Sequence, residues 1–161
     1  MYQHSFGEAL AESIAEGRNL GIHRPDRNES FADVVERLRR MDDPAWVAPG
    51  FVPQSVYWLV DGKTYIGRLS LRHALNDDLR RIGGHIGYDV RPSMRRRGYG
   101  TRARRLGLDE ARKIGPPRVL LTCDRNNIGS RRMIERNGSV LEDDFAIPGI
   151  DGIKRHYWIE L

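Results

Sequence analysis

The chain has a single cysteine, Cys123, so no internal disulfide can staple it, and a metal site built on cysteine spacing is excluded. No metal is expected. A lone cysteine fits a reducing compartment, and the cytoplasm is the expected location. No apolar stretch is long enough to span a bilayer, so no membrane partner is expected. The N-terminal segment carries Glu8, Glu12 and Glu16 and no apolar run, which separates it from a signal peptide. Internal repeats and low-complexity linkers are missing too. So is any visible nucleophilic triad, since Cys123 has no histidine beside it in sequence.

What remains suits one compact domain over residues 1–161. Hydrophobic residues at 39% and charged residues at 30% indicate a globular chain rather than a disordered one. The formal net charge is +5, with many of the basic residues between Arg91 and Arg112. Such a cluster favours an anionic ligand. Cofactor phosphates, nucleic acid and a solvated helix face all fit it at this point.

Periodicity predicts a helix over Phe6–Glu16, with Phe6, Leu10 and Ile14 on one side. A second helix follows Ser30, an N-cap with Asp33 at the capping-box position, and carries the stripe Phe31, Val34, Val35 and Leu38. Ser55–Val60 and Tyr65–His73 read as strands around an Asp61-Gly62 turn. Asn76–Arg81 is a polar break, and Gly84–Val90 is another strand. Tyr99–Ile114 is a long helix in which Ala103, Leu106 and Ala111 face the sheet, while Arg102, Arg104, Arg105 and Arg112 form a solvated face. Arg118–Cys123 is an apolar strand, Ile128–Asn137 a helix closed by Gly138, and Val140–Ile147 with Lys154–Leu161 a last hairpin. The fold class is α/β in the mixed α+β sense.

Between a strand and the long helix lies Arg95-Arg96-Arg97-Gly98-Tyr99-Gly100-Thr101. Glycines allow close backbone approach and positive φ. Amides at a helix N-terminus, with the macrodipole behind them, favour an anion, and neighbouring arginines add charge-assisted bonds. It is no Walker loop, because no Gly-Lys-Ser/Thr follows, and it lacks the third glycine of a dinucleotide fingerprint. Alone, the segment also fits a basic helix start whose glycines serve only the turn.

Val90-x-Pro92-x-x-Arg95-x-x-Gly98-x-Gly100 resembles the acetyl-CoA signature of the GNAT superfamily of N-acetyltransferases. Asn127-x-x-Ser130, followed by Gly138, resembles that family's helix after strand five. The stretch from Gly84 to Ser93 is similar to a bacterial subgroup of acetyltransferases. The resemblance covers the chain from about Ser55 onward. It implies a mostly antiparallel mixed sheet flanked by helices and splayed between family strands four and five, here Gly84–Val90 and Arg118–Cys123. It implies acetyl-CoA as co-substrate and a primary amine as acceptor. The main chain of Tyr88, Asp89 and Val90 would hold the pantetheine arm. Arg95, Arg96, Arg97, Gly98, Tyr99, Gly100 and Thr101 would hold the pyrophosphate, mostly through amides. Asn127 and Ser130 would touch the arm near the thioester. Two departures stand out. The family's usual tyrosine, seven residues after the motif asparagine, is Ile134 here. The family's first strand is absent or very short, because Met1 lies just before the first helix.

Acetyl transfer to an amine needs a base, a polarised thioester and a proton for the leaving thiolate. The Val90 N–H is the expected oxyanion donor. His85 stands where many family members have glutamate and is the expected base, since an imidazole titrates near ~6.5. Asp89 shares its strand face by period-two alternation, to orient the imidazole or bind the amine. Both also fit ordinary strand positions. Tyr88, on the opposite face, reads as core packing, and Cys123 as a small buried hydrophobe. Trp46, Trp58, Tyr65, Tyr157 and Trp158 fit either an acceptor pocket or core and hairpin pairs. Other functions stay open: a CoA-sensing domain without catalysis, or a toxin-like enzyme acetylating aminoacyl-tRNA. A plain nucleic-acid module is disfavoured, because no nucleic-acid motif is present. The protein is expected to be a monomer or homodimer.

Overall fold

A computed structural model describes all residues except Asn19, Asn137 and Ile150, and the side chain of Ile22. Its first helix, α1 (Gln3–Ala15), buries Phe6, Ala9 and Ser13. The predicted stripe of Phe6, Leu10 and Ile14 is corrected here, because Ile14 is 54% exposed. Steps of four residues drift around a 3.6-residue helix, whereas the i, i+3, i+7 set stays on one side. The second helix, α2 (Phe31–Arg39), starts at the expected capping box. The Asp33 N–H donates to Ser30 Oγ at 3.2 Å, and the Ser30 N–H donates to Asp33 Oδ2 at 3.0 Å.

Strands β1 (Gln54–Asp61) and β2 (Thr64–Arg72) form a hairpin closed by Gly62-Lys63, with Gly62 at φ 56°. The predicted polar break contains a short helix, α3 (Asp77–Arg81), because Asn76 caps it by accepting from the Leu79 N–H at 2.9 Å. Then come β3 (Ile86–Val90), α4 (Tyr99–Ile114), β4 (Arg118–Asp124), α5 (Ile128–Glu135), β5 (Val140–Ala146) and β6 (Ile153–Glu160). The predicted end of α5 at Asn137 lies outside the described residues.

The strands form two antiparallel sheets, ordered β1-β2-β3 and β4-β6-β5. They are joined at the start of β3. The His85 N–H donates to the Leu120 carbonyl at 2.8 Å, and the Leu120 N–H donates to His85 Nδ1 at 2.8 Å. Past that junction β3 and β4 part, as the expected splay requires.

Helix α4 packs on β2 and β3, burying Ala103, Leu108 and Ala111 in a core shared with Leu69, Leu71 and Ile86. A Cβ on Gly107 would lie 2.7 Å from Leu69 Cδ1, so glycine there sets how closely the helix approaches. Leu106, predicted to face the sheet, is 56% exposed, because it sits about 100° round the helix from Gly107. Arg104, predicted to be solvated, is fully buried on the Ala103–Gly107–Ala111 face. On the other side of the first sheet, Phe6 stacks on Trp58 at 5.0 Å and meets Tyr65 edge-on at 5.2 Å. These rings are core.

Candidate active site

Between the diverging ends of β3 and β4 lies a cavity of about 530 Å³. One wall is Tyr88, Asp89 and Val90; the opposite wall is Thr122, Cys123 and Asp124. Two backbone bonds fix the alternation of β3 on β2: the Arg72 N–H donates to the His85 carbonyl and the Arg91 N–H to the Ile66 carbonyl, each at 2.8 Å. In an antiparallel ladder that alternation turns the main chain of Ile86, Tyr88 and Val90 away from β2 and toward the gap. The gap thus has a strand edge able to pair with an extended ligand.

At one end the cavity meets the loop before α4, bordered by Arg95, Arg96, Tyr99 and Gly100. Arg96 has φ 64° and Gly98 has φ 82°, two left-handed residues just before a helix N-terminus. Such alternation turns successive amides into an anion-binding concavity, and the helix dipole reinforces it. The positive φ explains Gly98, whose missing Cβ would otherwise meet nothing within 4 Å. At Gly100 a Cβ would lie 3.5 Å from the Tyr88 ring and 3.8 Å from Met133 Cε, ordinary van der Waals contacts that do not themselves require a glycine. Arg97, Gly98 and Thr101 do not border the cavity, and the Thr101 hydroxyl turns to Met133 Sδ at 3.3 Å.

Arg91 and Arg95 are committed elsewhere, whereas Arg96, which borders the cavity, and Arg97 have no ion-pair partner among the described residues. Arg95 makes a two-pronged pair with Glu16, at 3.0 and 2.8 Å, and its Nε donates to the Val90 carbonyl at 3.1 Å. Arg91 donates to Glu12 at 2.7 Å and Glu8 at 3.1 Å. The Ser93 N–H and hydroxyl both donate to Glu12 at 3.0 Å. Burial alone would raise the Glu12 pKa, but the Ser93 amide and Arg91 hold it below the ordinary value. The row Glu8, Glu12, Glu16, used above only to exclude a signal peptide, staples the loop to α1. Its i, i+4, i+8 spacing shows in sequence that the three acids share one side of a helix, but not what they meet.

From the far side, Asn127 caps α5 by accepting from the Ser130 N–H at 3.0 Å, and both residues border the cavity. The Tyr88 hydroxyl, predicted to be core, lies 3.3 Å from Ser130 Oγ at the cavity. Burial pushes the Tyr88 phenol pKa up, against a downward pull from Ser130 and Arg104. Ile134, at the family's tyrosine position, is 2% exposed and sits in the core. Cys123 is buried, with its thiol pushed up to about 11, mainly by that burial.

His85 does not border the cavity. Its Nδ1 is taken by the Leu120 N–H, and burial, with Arg80 and Arg72 nearby, lowers its pKa to about 4. A neutral, buried ring whose Nδ1 already accepts a backbone proton joins the two sheets. Asp89 does border the cavity and pairs with Arg18 at 2.7 Å. None of the tryptophans borders it, nor do Tyr65 and Tyr157.

The family model for the Acetyltransferase (GNAT) domain matches residues 18–140. The chain belongs to the GNAT acetyltransferase family. No curated protein matches it. Solved structures share its fold at low identity. A point mutant of the spermidine N-acetyltransferase SpeG of Vibrio cholerae is 17% identical, covers 96% of this chain and 90% of its own, and has a TM-score of 0.62. RimL, a ribosomal L7/L12 alpha-N-protein acetyltransferase solved with coenzyme A, is 15% identical over 99% of this chain and 89% of its own, TM-score 0.64. The microcin C7 self-immunity acetyltransferase MccE, solved with acetyl-CoA and AMP, is 14% identical over 99% and 87%, TM-score 0.65. No helix among the described residues is long and apolar enough to cross a membrane.

Proposed function

We propose that the protein transfers an acetyl group from acetyl-CoA to a primary amine by direct attack. The observation carrying this is the cavity in the β3–β4 gap, which joins the anion-binding loop before α4 to the carboxylate of Asp89. Acetyl-CoA would supply an activated acyl group and a thiolate that leaves readily.

The chain's own groups divide the work. Amides of the Arg95–Gly100 loop hold the pyrophosphate, and the gap-facing main chain of Tyr88 and Val90 pairs with the extended arm. The Val90 N–H stabilises the charge developing on the acyl oxygen. Asp89, directly or through water, takes the proton the amine nitrogen loses as its bond to the acyl carbon forms. The Tyr88 hydroxyl, beside Ser130, returns a proton to sulfur as the carbon–sulfur bond breaks, the part that Ile134 has no group to play. His85 serves as a strut between the sheets, in place of the base role its sequence position suggested. The MccE and RimL complexes support the cofactor assignment by fold likeness.

Titration calorimetry with acetyl-CoA, CoA and dephospho-CoA tests this. Saturable binding of the first two, followed by thiol release in the presence of amines, is expected; a protein that binds neither contradicts the assignment.

A further inference from the structure

The cavity's other end is defined by Arg72, Gly87, Asp89 and Arg18. On β2, Arg68, Ser70 and Arg72 alternate onto one face, and β3 sets Asp89 opposite Arg68 and Gly87 opposite Ser70. Gly87 has no side chain to cover its neighbour: a Cβ there would lie 3.4 Å from Arg72 Nη1 and 3.5 Å from Nη2. Arg72 Nη1 donates to the carbonyls of Gly83 and Gly84, at 3.1 Å each, which fixes the guanidinium. Among the described residues, no carboxylate lies within ion-pair distance of Arg72, and its Nη2 has no protein acceptor. Burial first, and Arg68 second, depress its pKa.

The surroundings are positive as well. Among the described residues, Arg68 is half-buried with no carboxylate within ion-pair distance, and Asp89, which sits opposite it and acts on its charge, pairs at 2.7 Å with Arg18. His23, over Ser70 at 3.4 Å, has its pKa driven to about 2 by burial and by Arg68, Arg37 and Arg72. A rigid, desolvated guanidinium without a counter-charge, opening on a substrate cavity, matches a planar carboxylate. A polycationic acceptor would meet like charge there.

We propose that the acceptor is a small primary amine that also carries a carboxylate, of the amino-acid class, and that Arg72 binds that carboxylate. This rests on the acetyl-transfer reading above and narrows its substrate. It sets the chain apart from the spermidine acetyltransferase whose fold it shares.

The test offers acetyl-CoA with a panel of α- and β-amino acids, each beside its methyl ester, and with spermidine, reading thiol release. At least one amino acid should be used with a kcat/KM about tenfold or more above its ester, since an unpaired buried polar group discriminates strongly. Arg72→Gln keeps a donor for the glycine carbonyls. It should raise KM for that amino acid by about tenfold, leave the ester within about twofold, and leave acetyl-CoA affinity unchanged. Esters or spermidine used as well as the acids overturns the proposal, as does a panel in which no amino acid is acetylated by a protein that binds acetyl-CoA. Arg72→Gln weakening acid and ester alike also overturns it. Should that variant not fold, the wild-type complex with CoA decides. The N-acetyl amino acid should raise its melting temperature and the N-acetyl ester should not; equal shifts overturn the proposal. Failure to bind acetyl-CoA at all, by calorimetry, removes instead the reading on which it rests.

Discussion

Arg91 and Arg95, beside the loop that leads into α4, are held by carboxylates on α1 and at its C-cap, whereas Arg72, on β2 at the far end of the cavity, and Arg68 beside it have no carboxylate within ion-pair distance among the described residues. In sequence the first pair looks like the ligand-binding group, because it lies in a dense basic run next to glycines. In space it is a staple, which leaves the backbone amides of the loop, with Arg96 and Arg97, as the groups we propose meet an anion. The second pair looks ordinary in a strand, yet Arg72 borders the cavity without a counter-charge, and Arg68 lies behind it opposite Asp89. A cluster of like charge therefore reports where cations are, and only their pairing reports which remain available to a ligand.

The largest expected effect tests the staple. Arg91→Met leaves Glu8 and Glu12 without their cation and loosens the Ser93 turn. Breaking a partly buried network of this kind should cost roughly 2–3 kcal/mol, measured by urea denaturation, while acetyl-CoA affinity of the folded fraction changes little. A large loss of affinity with unchanged stability would reverse the roles assigned to the two groups. Gly98→Val tests the backbone from the other side. A β-branched residue at φ 82° strains the loop by about 1–3 kcal/mol, and acetyl-CoA affinity by calorimetry should fall more than about tenfold. Affinity within a factor of two of wild type would mean that side chains, not amides, hold the anion.

Burial and the arginines around it also leave a mark on acid stability, through His23. Its folded pKa, about 2, lies below the ordinary 6.5, because burial and the positive charge of Arg68, Arg37 and Arg72 oppose protonation. As pH falls through 6.5, the unfolded chain takes up a proton that the folded one refuses. Stability is therefore lost on the acid side of 6.5, by up to about 1.4 kcal/mol per pH unit. His85, with a folded value of about 4, adds to the loss between 6.5 and 4. Chemical denaturation from pH 7 to 5 should show this slope in the wild type and a shallower one in His23→Gln. An identical slope would mean that His23 takes up its proton alike in the folded and unfolded chain.

Much of the fold could be read from the sequence, because it is local. The capping box at Ser30 and Asp33, the Gly62 turn and the whole span of α4 depend on residues a few positions apart. So does the Val90–Gly100 signature, whose loop borders the candidate site. What stayed hidden depends on distant partners. Nothing near Glu12 in sequence announces Arg91 and Ser93, which lie about eighty residues away. Nothing near His85 announces that the Leu120 N–H fills its Nδ1. The strand alternation that set Tyr88 against the core was right about its face, but not that this face opens at Ser130.

Arg104 sharpens the comparison with the smallest expected effect and the opposite sign. The sequence placed it among solvated helix arginines, yet it is fully buried, and its Nε and Nη1 have no hydrogen-bond partner among the described residues. Burial lowers its pKa, and the one charge-type interaction opposing that comes from Tyr88. A desolvated cation without a carboxylate costs stability, and a methionine of similar length keeps the packing of the stem without the charge. Arg104→Met should therefore stabilise the fold by about 1 kcal/mol, a rise of roughly 2–4 °C in melting temperature for a chain of this size. Because Arg104 draws the Tyr88 phenol downward, the same variant should move the Tyr88 titration up, seen by ultraviolet difference spectra. If it acts as proposed in returning a proton to sulfur, the alkaline limb of the pH–rate profile should move with it. Stability and titration must shift together, since both follow from one guanidinium. A variant destabilised by about 1 kcal/mol or more would show that Arg104 has an acceptor in solution. The line between neutralised and open arginines would then have to be redrawn around the β2 pair alone.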